Sequence, residues 1–418
     1  MYERTKYMKF FKLRNLLFCC LIFSIGFNLV GCNKKEKEKR IVMWLVGTEG
    51  QAQTIMELGK KFKEESGIDV LCQAISWGDA HSKYLTSIAG GVSPDIGTMG
   101  LTWGMEFGEL GALVDLKEKY TEDMLEIESK IFPGILKSTR YGEKVFGIPF
   151  DLTEHILYYR TDIIPSPPKT WKDLLDLVKD LKSKNKGMVI DWGSLEWIAF
   201  SPFLWQAGGH YYNSDYSKVT LDTQEANDAL QFFADLYKNG VPKTKVPLEQ
   251  GMRTGDYPLA ISGNWKIISL TVGAPEIKDK WAIATLPKGP SGKNTAFIGG
   301  RILTIFSDSK VKDESWEFIK FLFKPENQIK IYEDSIITED AYLPPNMESW
   351  ESLSMRKDFK NILNKQAKDA EGPPPVLSWD SSTKYLNHAI QKVILQNADP
   401  MQELKKATLE MQKELDKK

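Results

Sequence analysis

The sequence predicts an α/β protein built around a parallel sheet, and three observations carry that prediction. Residues 41–46 (IVMWLV), 69–75 and 95–99 are short apolar runs of the kind that form strands buried on both faces. Between them lie two helical patterns: residues 51–66, with Ala52, Ile55, Leu58 and Phe62 near one face, and residues 80–89, with Tyr84, Leu85 and Ile88 on one side. The order strand–helix–strand–helix–strand implies right-handed crossovers in one sheet. A chain of 418 residues is long enough for one large bilobal unit or two domains.

The first forty residues stand apart from that body. Arg4, Lys6, Lys9, Lys12 and Arg14 form a basic region. Residues 16–30 (LLFCCLIFSIGFNLV) are apolar but shorter than the roughly 20 residues a spanning helix needs. This is the anatomy of a secretory signal. It ends in Leu29-Val30-Gly31-Cys32, which resembles a bacterial lipobox; in such signals the peptide is cut before the cysteine, whose thiol is lipidated. Residues 33–40 (NKKEKEKR) have no apolar face and read as a solvated tether. Stable anchoring needs more than one acyl chain, which a lipidated Cys32 supplies.

Composition excludes several classes. Lys+Arg 55 against Asp+Glu 56 gives a net charge of −1, without the basic surplus that nucleic-acid binding wants. Four histidines and no clustered cysteines argue against structural zinc. Cys19 and Cys20 leave with the signal and Cys32 is the anchor, so Cys72 is the lone thiol of the body; its apolar strand pattern predicts a buried, inert group.

In the body, three parallel strands send their following loops to one sheet edge, where ligands of open α/β sheets sit. Glu49, Trp77, Asp79 and Trp103 are therefore expected on one rim. Ser93-Pro94 launches the third strand, Gly100 breaks it, Thr102-Trp103 reads as a loop, and a helix is expected to begin over residues 106–110 and end at Gly111. Asp79 doubles as a cap for the helix at Ala80 and is set aside on that ground. Further along, residues 187–191 read as a strand ending in Trp192-Gly193. Residues 197–206 read as an aromatic-rich helix. Residues 222–240 form a marked helix, with Asp222 as cap, Glu225 three residues on and Gly240 as stop. Residues 260–265 (AISGNW) are a strand entering a Gly-Asn-Trp turn, residues 282–286 are another strand, and both parts of the tail, 381–397 and 400–418, read as helical.

Several strings, in order, resemble the extracellular solute-binding proteins of bacterial sugar importers, the maltose-binding-protein-like family. They are "GG-x-x-PD-I" with "W-x-x-x-F-x-x-x-G-x-L-x-x-L" in residues 90–116; Gly147-Ile148-Pro149; LYYRTD; Pro167-Pro168-Lys169-Thr170-Trp171; FIGGRILTIF over 297–306; ESWEFIKFL; and Leu343-Pro344-Pro345. Relatives with LYYRTD often carry an Arg where this chain has His155.

The resemblance implies a two-lobed periplasmic-binding-protein-like (type II) fold, with hinge strands and a ligand cleft between the lobes. It implies a signal peptide over residues 1–31, a tether over 32–40, a first lobe of 41–153 and 300–338, and a second of 154–299 and 339–418. It also implies a non-enzymatic receptor for a sugar or oligosaccharide, working with ABC permease subunits and their ATPase, exported and held at the membrane through Cys32. No cofactor, metal or nucleic acid is expected, and nothing points beyond a monomer.

Sugars stack their C–H faces on aromatic rings and offer vicinal hydroxyls to Asp, Glu, Asn and Arg. The ligand set expected on these grounds is Glu49, Trp77, Trp103, Asp151, His155, Trp192, Asn264, Trp265, Arg301 and Trp379. Some of these carry two readings. Trp77, Trp103 and Trp192 serve equally as core. Arg301 either reaches the ligand or pins the crossing through a salt bridge, and Trp379 either closes the cleft or packs under the Pro373-Pro374-Pro375 loop. Trp44, Trp171 and Trp316 read as core. Competing readings are a receptor for a phosphodiester, polyamine or peptide and, less favoured, a surface carbohydrate-active enzyme, for which no paired-carboxylate motif is present.

Overall fold

The computed structural model describes residues 39–338 and 342–417; the expected signal, Cys32 and most of the tether lie outside the described residues. The body opens with β1 (Arg40–Val46), α1 (Glu49–Ser66), β2 (Asp69–Ile75), α2 (Trp77–Gly90), β3 (Ile96–Gly100) and α3 (Leu101–Glu109). β1 pairs in parallel with both β2 and β3, so the three strand ends do emerge at one edge. Gly67 stops α1 at φ 75°, where a residue without Cβ pays no steric cost.

Helix starts differ from the sequence reading. α2 begins at Trp77 and α3 at Leu101, so Trp77 and Trp103 sit on first turns rather than in loops. Neither start carries a side-chain cap bond: Gly100 has no side chain, and the Ser76 hydroxyl bonds Asp79 Oδ2 at 2.6 Å instead of a helix N–H. The long helix over Gln224–Asn239 is likewise capped by Thr223, whose hydroxyl accepts from the Ala226 N–H, and not by Asp222.

Three chain crossings join this sheet to a second one. The first runs from β4 (Ile148–Pro149) into β5 (Thr153–Arg160). The second sheet then adds β6 (Met188–Ile190), α4 (Trp197–Ala207) packed on it, and β7 (Leu259–Gly263), which is parallel to β6 and antiparallel to β5. The single run expected over 297–306 is two strands, β8 (Ala296–Gly299) in the second sheet and β9 (Arg301–Ile305) in the first. Gly300 makes the break at φ 148°, and a Cβ there would stand 2.2 Å from the Asp151 carbonyl oxygen. The third crossing is fixed by reciprocal Leu152–Leu343 backbone hydrogen bonds of 2.7 and 3.0 Å. The first sheet is ordered β2-β1-β3-β9-β4; the second has β8, β5, β7 and β6 in sequence, with Ala370–Glu371 at its outer edge.

After the third crossing the chain first packs on first-lobe elements. Asn346 Nδ2 donates to the Phe323 carbonyl at 3.1 Å, and Trp350 meets the Phe132 ring edge-on at 4.9 Å. It then returns to the second sheet through the helix over Lys357–Lys368 and through α5 (Trp379–Gln396). Trp171 and Trp316 are buried, and Trp44 is half-buried in its strand. Cys72 is buried, and burial pushes its thiol up to about 12, which leaves it protonated and unreactive.

Candidate functional site

The ten expected residues fall into three groups. The first is the rim of the first lobe. Trp103 meets Trp77 edge-to-face at 5.8 Å and His81 at 5.1 Å, and His81 Nε2 lies 2.8 Å from Glu106 Oε2. Trp77 is 45% exposed, an unusual surface for so large an apolar ring. Glu49 is exposed at the first turn of α1, where the helix N-terminus favours a carboxylate.

The second group is the rim of the second lobe, at the carboxyl ends of β6 and β7. Trp192 meets Trp265 edge-on at 4.8 Å, and His155 lies under Trp192 at 4.5 Å. Phe297 and Trp197 continue the aromatic layer, Trp197 meets Trp379 at 4.9 Å, and Tyr342 closes on Trp265 at 5.9 Å. The Trp265 ring folds back over Gly263, where an added Cβ would meet it at 1.7 Å, so the ring's position requires that glycine. Asn264 Oδ1 accepts from the Glu154 N–H at 2.8 Å, and Asn264 N–H donates back to the Glu154 carbonyl at 3.1 Å. These bonds fasten the turn to β5.

Burial holds the His155 ring neutral, down to about 3, although the Trp192 carbonyl opposes that shift. Trp379 is 1% exposed, wedged between Trp197 and the rings of Tyr211 and Tyr212.

The third group, Asp151 and Arg301, holds the crossings. Asp151 Oδ1 accepts from the Arg301 backbone N–H at 2.8 Å, and Oδ2 accepts from Nε at 2.6 Å and pairs with Nη2. Arg301 Nη1 donates to the Val46 carbonyl and to Gln51 Oε1. Its guanidinium lies 5.1 Å from the Phe150 ring centre and 5.0 Å from that of Tyr342. One side chain thus touches the first crossing, the third crossing and the end of β1 from its own place on the second.

Four residues outside the expected set belong to this region: His81, Thr102, Glu106 and Asp380. The Asp380 carboxyl, on the first turn of α5, is pushed up by desolvation and by Glu106, while the Thr102 hydroxyl and His81 oppose that shift. Reading Thr102-Trp103 as a loop hid the helical i, i+4 spacing that puts Thr102 and Glu106 on one face. An open cavity of about 1530 Å³ is lined by Tyr141, Tyr212, Tyr216, Pro374 and Ser378 and contains none of the ten residues. Among the described residues no His/Cys/Asp/Glu group is placed to hold a metal, and no helix is long and apolar enough to cross a membrane.

Two α/β lobes, three crossings and an aromatic rim at the strand ends of each lobe define a two-lobed solute-binding fold. A family model described as bacterial extracellular solute-binding protein matches residues 57–359, most of the chain, and the protein belongs to that family. It is a binding protein and not an enzyme. A binding protein of Brucella abortus is 23% identical over 372 residues, covering 84% of this chain and 87% of its own. A maltooligosaccharide ABC transporter solute-binding lipoprotein of Streptococcus pneumoniae is 24% identical over 366 residues, covering 82% of each. The sugar-binding protein MalE of Xanthomonas citri superposes with a TM-score of 0.80 at 23% identity, over 91% of this chain and 98% of its own, which establishes the shared fold.

Proposed function

We propose that this chain is a lipid-anchored receptor that takes a sugar or oligosaccharide between its lobes and delivers it to the permease and ATPase of an ABC importer. The observation that carries the reading is the pair of rims: Trp77 and Trp103 on one lobe, Trp192 and Trp265 on the other, with carboxylates beside them. Flat rings suit the C–H faces of a pyranose, and Glu49 and Glu106 offer acceptors for its hydroxyls. In this reading His155 supports Trp192 from below, Trp379 backs Trp197, and Asp151 and Arg301 hold the crossings about which the lobes close. The name of the pneumococcal relative supports both the sugar and the ABC partnership. Cys32 is the anchor, export precedes anchoring, and the receptor acts as a monomer.

A thermal-shift screen of the purified chain against mono- and oligosaccharides tests the reading, because a ligand that binds only the folded state raises Tm. The expected result is a sugar hit whose affinity falls at least about tenfold, near 1.4 kcal/mol, in Trp265→Ala. A shift with a phosphate ester, polyamine or peptide but with no sugar would remove the sugar and leave the receptor.

A further inference from the structure

Trp192 and Trp265 stand on separate loops, and one lysine ties those loops together. Asp191 follows β6 and directly precedes Trp192; Lys266 directly follows Trp265, two residues beyond the end of β7. Lys266 Nζ lies 3.1 Å from Asp191 Oδ2. It also lies 2.8 Å from Oε1 of Glu249, a residue of the helix over Leu248–Thr254. Asp191 is fastened to β7 as well: its Oδ2 accepts from the Ser262 hydroxyl at 3.4 Å, and its N–H donates to the Ile261 carbonyl at 3.2 Å. The side chains are mostly out of water, Asp191 at 8% exposure and Lys266 at 17%. Burial pulls the Lys266 pKa down, but the hydrogen bonds and charges of Glu249 and Asp191 outweigh it and raise it, so the ammonium stays charged.

The placement runs against local preference. Lys266 opens the helix over Lys266–Gly273, and the macrodipole opposes a cation at a helix N-terminus. A largely buried ion pair also adds little net stability, because desolvation offsets the attraction. What the three-way bridge does supply is geometry. It joins the residue next to one ring to the residue next to the other, and the two rings meet edge-on at 4.8 Å and 76°. We propose that Lys266 is a positioning residue for the aromatic rim: by pairing with Asp191 and Glu249 it fixes the angle at which Trp192 and Trp265 meet, and so the surface on which a ligand ring stacks. The proposal rests on the receptor reading for its ligand, but the ring geometry is a property of the free chain.

Two indoles in such contact couple their excited states and give circular-dichroism bands of opposite sign. The difference spectrum between wild type and Trp265→Phe isolates the bands of this pair, measured on the purified chain without ligand. Lys266→Met removes both ion pairs, Asp191→Asn is the gentler break that leaves Lys266 with Glu249, and Lys266→Arg keeps a cation for both carboxylates. The bands are expected to collapse in Lys266→Met and Asp191→Asn, well below the Tm of each, and to persist in Lys266→Arg. If Lys266→Met does not fold, Asp191→Asn decides. A merely structural bridge would lower Tm and leave the bands of the folded chain intact, and that result overturns the proposal. Titration with maltotriose reads the consequence: affinity is expected to fall about tenfold in Lys266→Met and to stay within about twofold of wild type in Lys266→Arg. Lost bands with unchanged affinity overturn the step from ring geometry to ligand. If wild type does not bind maltotriose, the spectra alone decide the positioning role, and the sugar screen above decides the receptor reading.

Discussion

Asp151 and Glu154 lie three residues apart on the first crossing and are equally hidden, yet their chemistry is opposite. Asp151 is 5% exposed and its carboxylate is met by the backbone N–H and guanidinium of Arg301. Glu154 is 0% exposed and neither of its carboxyl oxygens has a partner. Burial alone pushes the Glu154 carboxyl well above the usual range, so it is held as the neutral acid. The difference teaches where the hinge is stiff. At Asp151 the carboxylate is met by a partner that also ties in two other crossings. At Glu154 the polar head of the side chain has only its own protonation to offset burial, and the strand is held instead by the backbone bonds to Asn264.

The largest effect should come from breaking the satisfied pair. Arg301→Met removes the guanidinium that meets the buried Asp151 carboxylate, the Val46 carbonyl and Gln51 Oε1, so a loss of about 3–5 kcal/mol is expected in urea unfolding. Adding Asp151→Asn to Arg301→Met should restore part of that loss, because the buried carboxylate that faced the guanidinium is then a neutral amide. If the double variant is as unstable as the sum of the singles, the two residues do not act as a pair.

The unsatisfied acid should show itself in pH dependence, together with its neighbour His155. Glu154 has a raised folded pKa against an ordinary 4.5. Above that value the unfolded chain gives up its proton while the folded chain keeps it, so stability falls as pH rises. His155 has its folded pKa lowered from 6.5 to about 3. Below 6.5 the unfolded chain takes up a proton that the folded chain refuses until near 3, so stability falls as pH drops through that window. Each group contributes a slope of at most about 1.4 kcal/mol per pH unit. Between 4.5 and 6.5 the two slopes oppose each other, and wild type should be nearly flat there. Glu154→Gln should lose the decline above neutrality and gain on wild type as pH rises, measured as the Tm difference from pH 5 to pH 8. A Tm difference that stays constant across that range would mean that Glu154 is ionised in the folded chain.

Most of the sheet framework was legible because its signals are local. Apolar runs marked β1 to β3, helical periodicity marked α1 and α2, and Gly67 and Gly240 stopped their helices as expected. Helix starts at Trp77 and Leu101 were not legible, because neither has a capping side chain to announce it. Proximity among the rim tryptophans followed from parallel topology alone, which is why Trp77 with Trp103 could be expected together. Nothing local sets Arg301 against Phe150 and Tyr342 at once. Such contacts depend on where the crossings bring separate stretches, and single-sequence patterns carry no record of that.

The smallest of these effects sharpens the same contrast at the partner of Glu154. Asn264→Ala removes the acceptor of the buried Glu154 N–H, a loss that by itself would cost about 1–3 kcal/mol. Asn264 Nδ2, however, is already buried without a partner, so truncation also removes an uncompensated donor. The two terms oppose each other, and a net loss of about 1 kcal/mol is expected in thermal unfolding. Asn264→Asp should cost more than Asn264→Ala, because it keeps the acceptor but sets a second carboxyl beside Glu154. If Asn264→Asp is instead the milder change, the acceptor outweighs the added carboxyl, and the strand at Glu154 depends on that one hydrogen bond more than on the dryness around it.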